Sequence, residues 1–262
     1  MTEKSYTKSA IAFVAVLYAL VYLPIALVIL TSLNESTITT LPIENYSLKW
    51  FVQLFANTKT LAALWTSIQL GVLSSTAATA IGLLAALAIV RYDFRGRHAF
   101  MGLLTLPMIA PGIVLGISLL LTARSVGFNT GFLALFLGHT LLELPYCAFI
   151  IIASLARFDQ SFEDAARGLG ASELRVLWRV TLPNITPGIL GALLFGFTIS
   201  IGEFVVSFFL TSAGITTLPI RIYSIVKVGI TPEINAVSTL ILAVTILLTM
   251  TAVRLTWTKT QP

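Results

Sequence analysis

The sequence predicts an all-α membrane protein of six transmembrane helices, and three observations carry that expectation. Hydrophobic residues make up 57% of the 262 positions and charged residues only 10%, which is too little polar surface to wrap a water-soluble globule of this size. The mean hydropathy is +0.95. Apolar stretches long enough for a hydrocarbon core of about 30 Å, roughly 20 helical residues, lie near 10–32, 61–90, 99–123, 131–156, 187–212 and 234–257. Continuous runs such as Ile25 to Leu30 show no barrel-like alternation, and in lipid only helices and closed barrels satisfy every backbone group.

The first stretch, Ala10 to Thr31, follows Lys4 and Lys8 and is too long for a secretory leader core; with no small-residue cleavage pattern behind it, it reads as a retained span. After it, Pro42 and the run Tyr46-Ser47-Leu48-Lys49-Trp50-Phe51 predict a short interfacial helix, since Trp and Tyr favour the headgroup region. The third stretch contains Leu106-Pro107-Met108-Ile109-Ala110-Pro111-Gly112. Two prolines and a glycine there predict a kink. The kink either faces a pore or packs against neighbouring helices.

Six spans place both termini on one side. That side would carry Lys4, Lys8, Arg91, Arg95, Arg97, Arg157, Arg167, Arg175, Arg179, Arg254 and Lys259, eleven of the sixteen basic residues, which places it in the cytoplasm. The net charge of +5 is therefore read as topology, with no nucleic-acid partner. Cys147 is the only cysteine, which excludes an internal disulfide or a cysteine-ligated metal cluster. No repeat or linker divides the chain, so residues 1–262 read as a single domain.

A polar interruption at 157–186 separates the fourth and fifth spans. Ser161, with Glu163 and Asp164 behind it, predicts a helix start in which the hydroxyl caps free amides and the acids face the positive dipole end. Gly170 is suited to end that helix in a left-handed conformation, and Ser172 with Glu173 starts a second. Pro183 and Pro187 are expected to break the chain before the fifth span. Ala165, Ala166 and Gly170 leave room for a partner's backbone; an amphipathic surface loop without a partner is the alternative.

Asp164-Ala165-Ala166, then Gly170, then Val180, Leu182 and Pro183 resemble the "EAA" loop of the membrane subunits of bacterial ABC importers, with Asp164 in place of the usual Glu and Glu163 beside it. The resemblance implies coupling helices seated on an ATPase, contacted through Glu163, Asp164, Ala165, Ala166, Gly170, Leu182 and Pro183. Two ATPase copies would drive two permease halves between inward- and outward-facing states. Residues 218–240, Tyr92-Asp93-Phe94-Arg95-Gly96-Arg97 and the third-span segment are similar to the second permease subunit of spermidine/putrescine importers. The implied partners are two ATP-binding cassette ATPase subunits, a different sister permease, a periplasmic solute-binding protein and the lipid of the inner membrane. Permeases for an aminophosphonate or an opine share much of the pattern. A secondary transporter or channel, which would carry solute without an ATPase, and a purely structural scaffold are the rival classes.

No phosphate-binding loop, zinc motif or nucleophile elbow occurs, and His98 and His139 stand isolated in the sequence. The chain is therefore expected to be a transport subunit and not an enzyme. It would bind no cofactor or metal, with ATP and Mg held by the partner.

Two acids fall within spans, Glu143 and Glu203. Such residues are costly and commonly mark a pathway; a paired carboxyl that holds helices together is the alternative for each. A pathway carboxylate would suit an organic cation such as a polyamine. In the polyamine permease pattern two adjacent acids stand where this chain has Gly202-Glu203, and an uncharged residue stands at Glu143. Tyr146, Phe204, Phe208 and Tyr223 are candidates to box an ammonium group by cation–π contact. Arg221 and Lys227 are expected to meet the binding protein.

Overall fold

A computed structural model describes residues 3–36, 42–228 and 232–257. The described residues are helical with short connections, the only extended pairings being isolated bridges between Asn34 and Tyr46 and between Ser212 and Ile215. The helices are α1 (Glu3–Ser32), α2 (Lys49–Ala56), α3 (Thr58–Arg91), α4 (Arg97–Ile109), α5 (Gly112–Ser125), α6 (Phe132–Arg157), α7 (Ser161–Gly168), α8 (Glu173–Val176), α9 (Leu182–Gly202), α10 (Val205–Leu210), α11 (Leu218–Val228) and α12 (Pro232–Trp257). A π-helical turn, Leu177–Thr181, joins α8 to α9.

Among the described residues four helices are long and apolar enough to cross a membrane: Ile11–Ser32, Thr58–Arg91, Phe132–Arg157 and the continuous path Glu173–Gly202. The pair α4 and α5 supplies a fifth if counted as one broken span. The expected sixth span at 234–257 falls in α12, a helix of 26 residues.

By internal contacts the chain falls into two compact units, one of residues 1–61 with 222–244 and the other of residues 62–221 with 245–262. In the first, α1 exposes apolar side chains continuously from Ile11 to Leu23, as a lipid-facing helix does. The short helix expected after the first stretch is α2; the buried Trp50 donates its indole N–H to the Asn34 carbonyl at 2.6 Å. Asn57 donates to Glu233 at 3.0 Å and Asn235 to Thr31 at 3.0 Å.

The second unit is built around α6 and α9. Ala78, Cys147, Ile151, Leu155, Ile185 and Ala192 form its core, and small residues set the helix spacing. A Cβ at Gly82 would lie 2.9 Å from the Ala148 backbone nitrogen, and one at Gly188 would overlap Ser154. A second cluster, Leu70, Ala134, Leu135, Val206 and Leu210, seats α10 on α6.

The third span departs from a kink to a full break: α4 and α5 meet at 106°. Ala110 and Pro111 are both extended, at ψ 131° each, because the ring of Pro111 disfavours a helical Ala110. The expected fifth span at 187–212 also differs. Helix begins well before 187 and stops at Gly202, Glu203 is extended, and the remaining residues form α10.

Candidate functional site

Helix α7 of the polar loop is built as the sequence indicates, with one exchange of roles. Glu163 and Asp164 occupy its first turn. The capping oxygen comes from Asp159, whose Oδ1 accepts the Ser161 backbone N–H at 2.9 Å, and not from the Ser161 hydroxyl, because Ser161 is already the first residue of the helix, one earlier than expected. That N–H holds the Asp159 carboxyl below its ordinary range. At the other end Gly170 has φ 86°, Ala171 N–H reaches Ala166 O at 3.1 Å and Gly170 N–H reaches Arg167 O at 2.9 Å. This pair of bonds is the Schellman closure that a glycine permits.

Pro183 and Pro187 do not break the chain, contrary to expectation. The π turn shifts the hydrogen-bond register, with Leu182 N–H reaching back to Leu177 O, and Pro183 falls in the first turn of α9, where a missing N–H costs little. The Asn184 side chain takes the Val180 carbonyl at 2.6 Å. Helix therefore runs from the loop into the membrane-crossing segment.

The two adjacent acids of the motif have opposite environments. Glu163 is buried, its side chain 3% exposed; it accepts from Arg91 Nη2 at 2.9 Å and from the Thr181 hydroxyl at 2.7 Å, with Arg167 Nη2 at 3.6 Å. It ties α7 to the end of α3 and to the π turn. Arg91 also lies over the Phe158 ring, 5.8 Å from its centroid. Asp164 is exposed and pairs with Arg167 at 2.9 Å. Arg167 grips Glu173 through two nitrogens, at 2.8 and 3.2 Å. The Glu173 hydrogen bond raises the Arg167 pKa, and the same contact lowers that of Glu173. The ion pairs fix the angle between α7 and α8 over a cavity of about 490 Å³ whose lining includes Arg91, Tyr92, Gln160 and Leu174.

On the outer side Ala165 and Gly170 are exposed and Ala166 is half-buried. Leu169 is 90% exposed, with Leu174, Trp178 and Phe162 open beside it in sequence. Leu182 is half-buried and Pro183 exposed. Apolar side chains held out from a polar loop are a marker of an interaction surface.

The membrane acids separate equally clearly. Glu143 on α6 is fully buried. Its Oε1 accepts from the Ser74 hydroxyl of α3 at 2.7 Å, and its Oε2 faces Gly196, where a Cβ would lie 3.3 Å away. Glu143 sits between helices, the arrangement of the paired-carboxyl alternative. His139, isolated in sequence, bonds Ser200 at 2.7 Å and Ser207 at 2.9 Å. The serines are seven residues apart, a spacing that hints at one helical face, but the break between them hides the relation.

Glu203 is half-buried at the break between α9 and α10, its Oε1 accepting the Val206 N–H at 2.8 Å. Phe204 is half-buried and tilts against the exposed Phe208 at 5.7 Å. Tyr146 packs on Phe195 at 5.9 Å, and Tyr223 is 43% exposed on α11 in the other compact unit. Of the four aromatic candidates, Phe204 is adjacent to Glu203 in the chain and Phe208 lies five residues beyond it. Among the described residues no cluster of three or more metal-ligating side chains forms.

The family described as "Binding-protein-dependent transport system inner membrane component" matches residues 78–256. The chain is 38% identical over 237 residues to the spermidine/putrescine transport system permease protein PotC of Haemophilus influenzae, covering 90% of this chain and 92% of that protein. It is 34% identical over 232 residues to the putrescine transport system permease protein PotI of Escherichia coli K12, covering 86% and 82%. A chain in the crystal structure of a bacterial ABC transporter for the import of the acidic polysaccharide alginate superposes with a TM-score of 0.75 at 16% identity, covering 99% of this chain and 98% of that one. That likeness establishes the fold.

Proposed function

Because this chain belongs to the family of binding-protein-dependent transport system inner membrane components, we propose that it forms half of the translocation pathway of an ATP-driven importer for a small organic cation, most readily a polyamine. Its relatives are transport permeases and not enzymes, and the hydrolysis of ATP, with its Mg, belongs to a partner ATPase. The remaining pathway half is a sister permease of different sequence, and a periplasmic binding protein delivers the solute. The arginine-rich 157–186 loop and both termini lie in the cytoplasm, as the bias of basic residues requires.

The observation that carries the coupling part is the loop's construction: an ion-paired inner face, centred on Glu163, presents Asp164, Ala165, Ala166, Gly170 and exposed Leu169 outward. Two ATPases need two such loops, one per permease half. Leu182 and Pro183 lead from the loop into the membrane helix, so a push on α7 and α8 reaches α9 without an intervening flexible joint. The observation that supports a cationic solute is Glu203, a carboxylate at an interrupted span, since irregular backbone at membrane depth is tolerated where protein buries it or a wet cavity meets it. Phe204, Phe208 and Tyr146 supply aromatic faces for an ammonium group, and Tyr223 is a further candidate of the same kind.

Reconstitution in proteoliposomes with the ATPase, sister permease and binding protein tests the reading. ATP-dependent uptake of labelled spermidine or putrescine is expected, with an aminophosphonate and an opine as competitors that leave it unchanged. Solute flux through this chain alone, without ATPase, would replace the importer reading with a secondary transporter or channel.

A further inference from the structure

We propose that His139 is a positioning residue that clasps the two halves of the broken fifth span and so sets the place of Glu203; the assignment of a role in transport rests on the importer reading above. Helix α9 ends at Gly202, Glu203 is extended at φ −73°, ψ 111°, and α10 starts at Val205. A two-residue joint of this kind leaves the angle between the halves to be fixed by other contacts. One imidazole from α6 meets both: His139 Nδ1 reaches Ser200 Oγ in the last turn of α9 at 2.7 Å, and Nε2 reaches Ser207 Oγ of α10 at 2.9 Å. His139 and Ser207 are fully buried and Ser200 nearly so, so water does not substitute for these partners.

The preceding residue makes the approach possible. A Cβ at Gly138 would lie 2.6 Å from the Leu210 side chain and 3.0 Å from that of Val206, so the missing side chain leaves room for these two residues of α10 beside the ring.

The clasp is anchored to a third helix. Ser74 of α3 donates its one hydroxyl proton to Glu143 Oε1, so the 3.2 Å contact between Ser74 and Ser200 takes its proton from Ser200. Ser200 then has no proton left for the ring. With Glu143 Oε1 as the final acceptor, His139 donates from Nδ1 and accepts at Nε2 from Ser207, a tautomer assigned by the bonding pattern. The chain Ser207, His139, Ser200, Ser74, Glu143 therefore runs with one donor per link and ends on Glu143 Oε1. These bonds join α3, α6, α9 and α10, and Glu143 Oε2 is the one buried side-chain oxygen among these five residues with no partner.

The test uses the assembled transporter with native and variant chains, each also prepared with Gly202→Cys. Nothing lies within 4 Å of a Cβ at 202, and native Cys147 is buried, so maleimide labelling reports the break. Ser207→Ala and His139→Gln are expected to lower solute uptake per ATP hydrolysed by about tenfold and to raise labelling at 202 several-fold, with ATPase co-purification unchanged. Ser207→Thr, which keeps the hydroxyl, should recover both. Native coupling and native labelling in Ser207→Ala and His139→Gln would overturn the proposal. An equal loss of assembled protein in Ser207→Ala and Ser207→Thr would also overturn it, because it would assign the position to packing alone. Failure of the importer reading is separately visible as absence of ATP-dependent uptake with the native chain, whereas labelling at 202 is read in the resting assembly.

Discussion

Glu163→Ala is expected to disable coupling by loosening the loop, although the side chain is not on its outer face. The carboxylate is 3% exposed and its partner Arg91 13% exposed, at 2.9 Å. Removing one member of such a pair strands the other charge away from water, at a cost of about 3–5 kcal/mol. At about 1.4 kcal/mol per tenfold, the ordered arrangement of α7 loses roughly two to three and a half orders of magnitude in its favour. The Thr181 hydroxyl loses its acceptor as well. Two measurements read this: trypsin cleavage at Arg167, Arg175 and Arg179, and ATPase retained on the purified permease. Cleavage should accelerate and retention fall, while the membrane helices stay protected. The decisive variant is the double replacement Arg91→Met with Glu163→Leu. Replacing both members by apolar residues of similar volume is commonly near neutral, so it should regain most of the loop's protection and ATPase binding. A double variant as defective as Glu163→Ala would refute the reasoning and place Glu163 in direct contact with the ATPase.

Three further outcomes are expected. Leu169→Asp and Trp178→Asp change exposed positions, so each should shift thermal stability by less than about 0.5 kcal/mol while reducing ATPase co-purification at least tenfold; unchanged retention in both would move the docking surface elsewhere. Glu173, depressed by Arg167, and Asp159, depressed by the Ser161 N–H, contribute loop stability that is present above the ordinary carboxylate pKa of about 4 and lost as pH falls through the lowered values. Hydrogen exchange at 159–173, corrected for intrinsic rates, should accordingly show constant protection from pH 8 to 5 and a decline below 4; protection that rises on acidification contradicts the sign. Glu203→Gln keeps an acceptor for the Val206 N–H and removes only charge. With a cation about 4 Å away in a medium of effective dielectric about 20, the lost attraction is up to about 4 kcal/mol, so the uptake KM should rise at least tenfold with ATPase activity intact. Native uptake kinetics would remove Glu203 from the pathway.

The loop was legible because its signals are local. Acids in a first turn and a glycine after a last turn act within a few residues, and both are found where the sequence puts them. Pro183 misled for the same reason: its usual effect is local, but a π turn two residues earlier moved the chain into a register that needs no N–H from it. The motif spacing identified which segment matters without distinguishing Glu163 from Asp164. That difference depends on Arg91, 72 residues away, and the count of basic residues had assigned Arg91 to topology alone. The third span's prolines announced an irregularity, whereas the size of the bend is set by two consecutive extended residues at Ala110 and Pro111.

The two membrane acids show why a rule about cost does not yield a role. An ionisable group in a span must find a partner or a wet surface, and sequence gives no means of choosing between them. Glu143 has found a partner in the hydroxyl of Ser74, on a helix 69 residues away in the chain, and Gly196 is small enough to lie against its second oxygen. Glu203 has found an amide three residues ahead, which is possible only because the helix is interrupted there. The interruption frees the N–H of Val206 for capping and leaves the other carboxylate oxygen at a half-buried position. One acid therefore holds helices together through Ser74, Ser200 and His139, while the other stands at the joint that this same set of bonds fixes. The two are linked in function even though they do not touch, so a substitution at Glu143 is expected to be felt at Glu203 through the angle of the break and not through the loss of a second charge from the pathway.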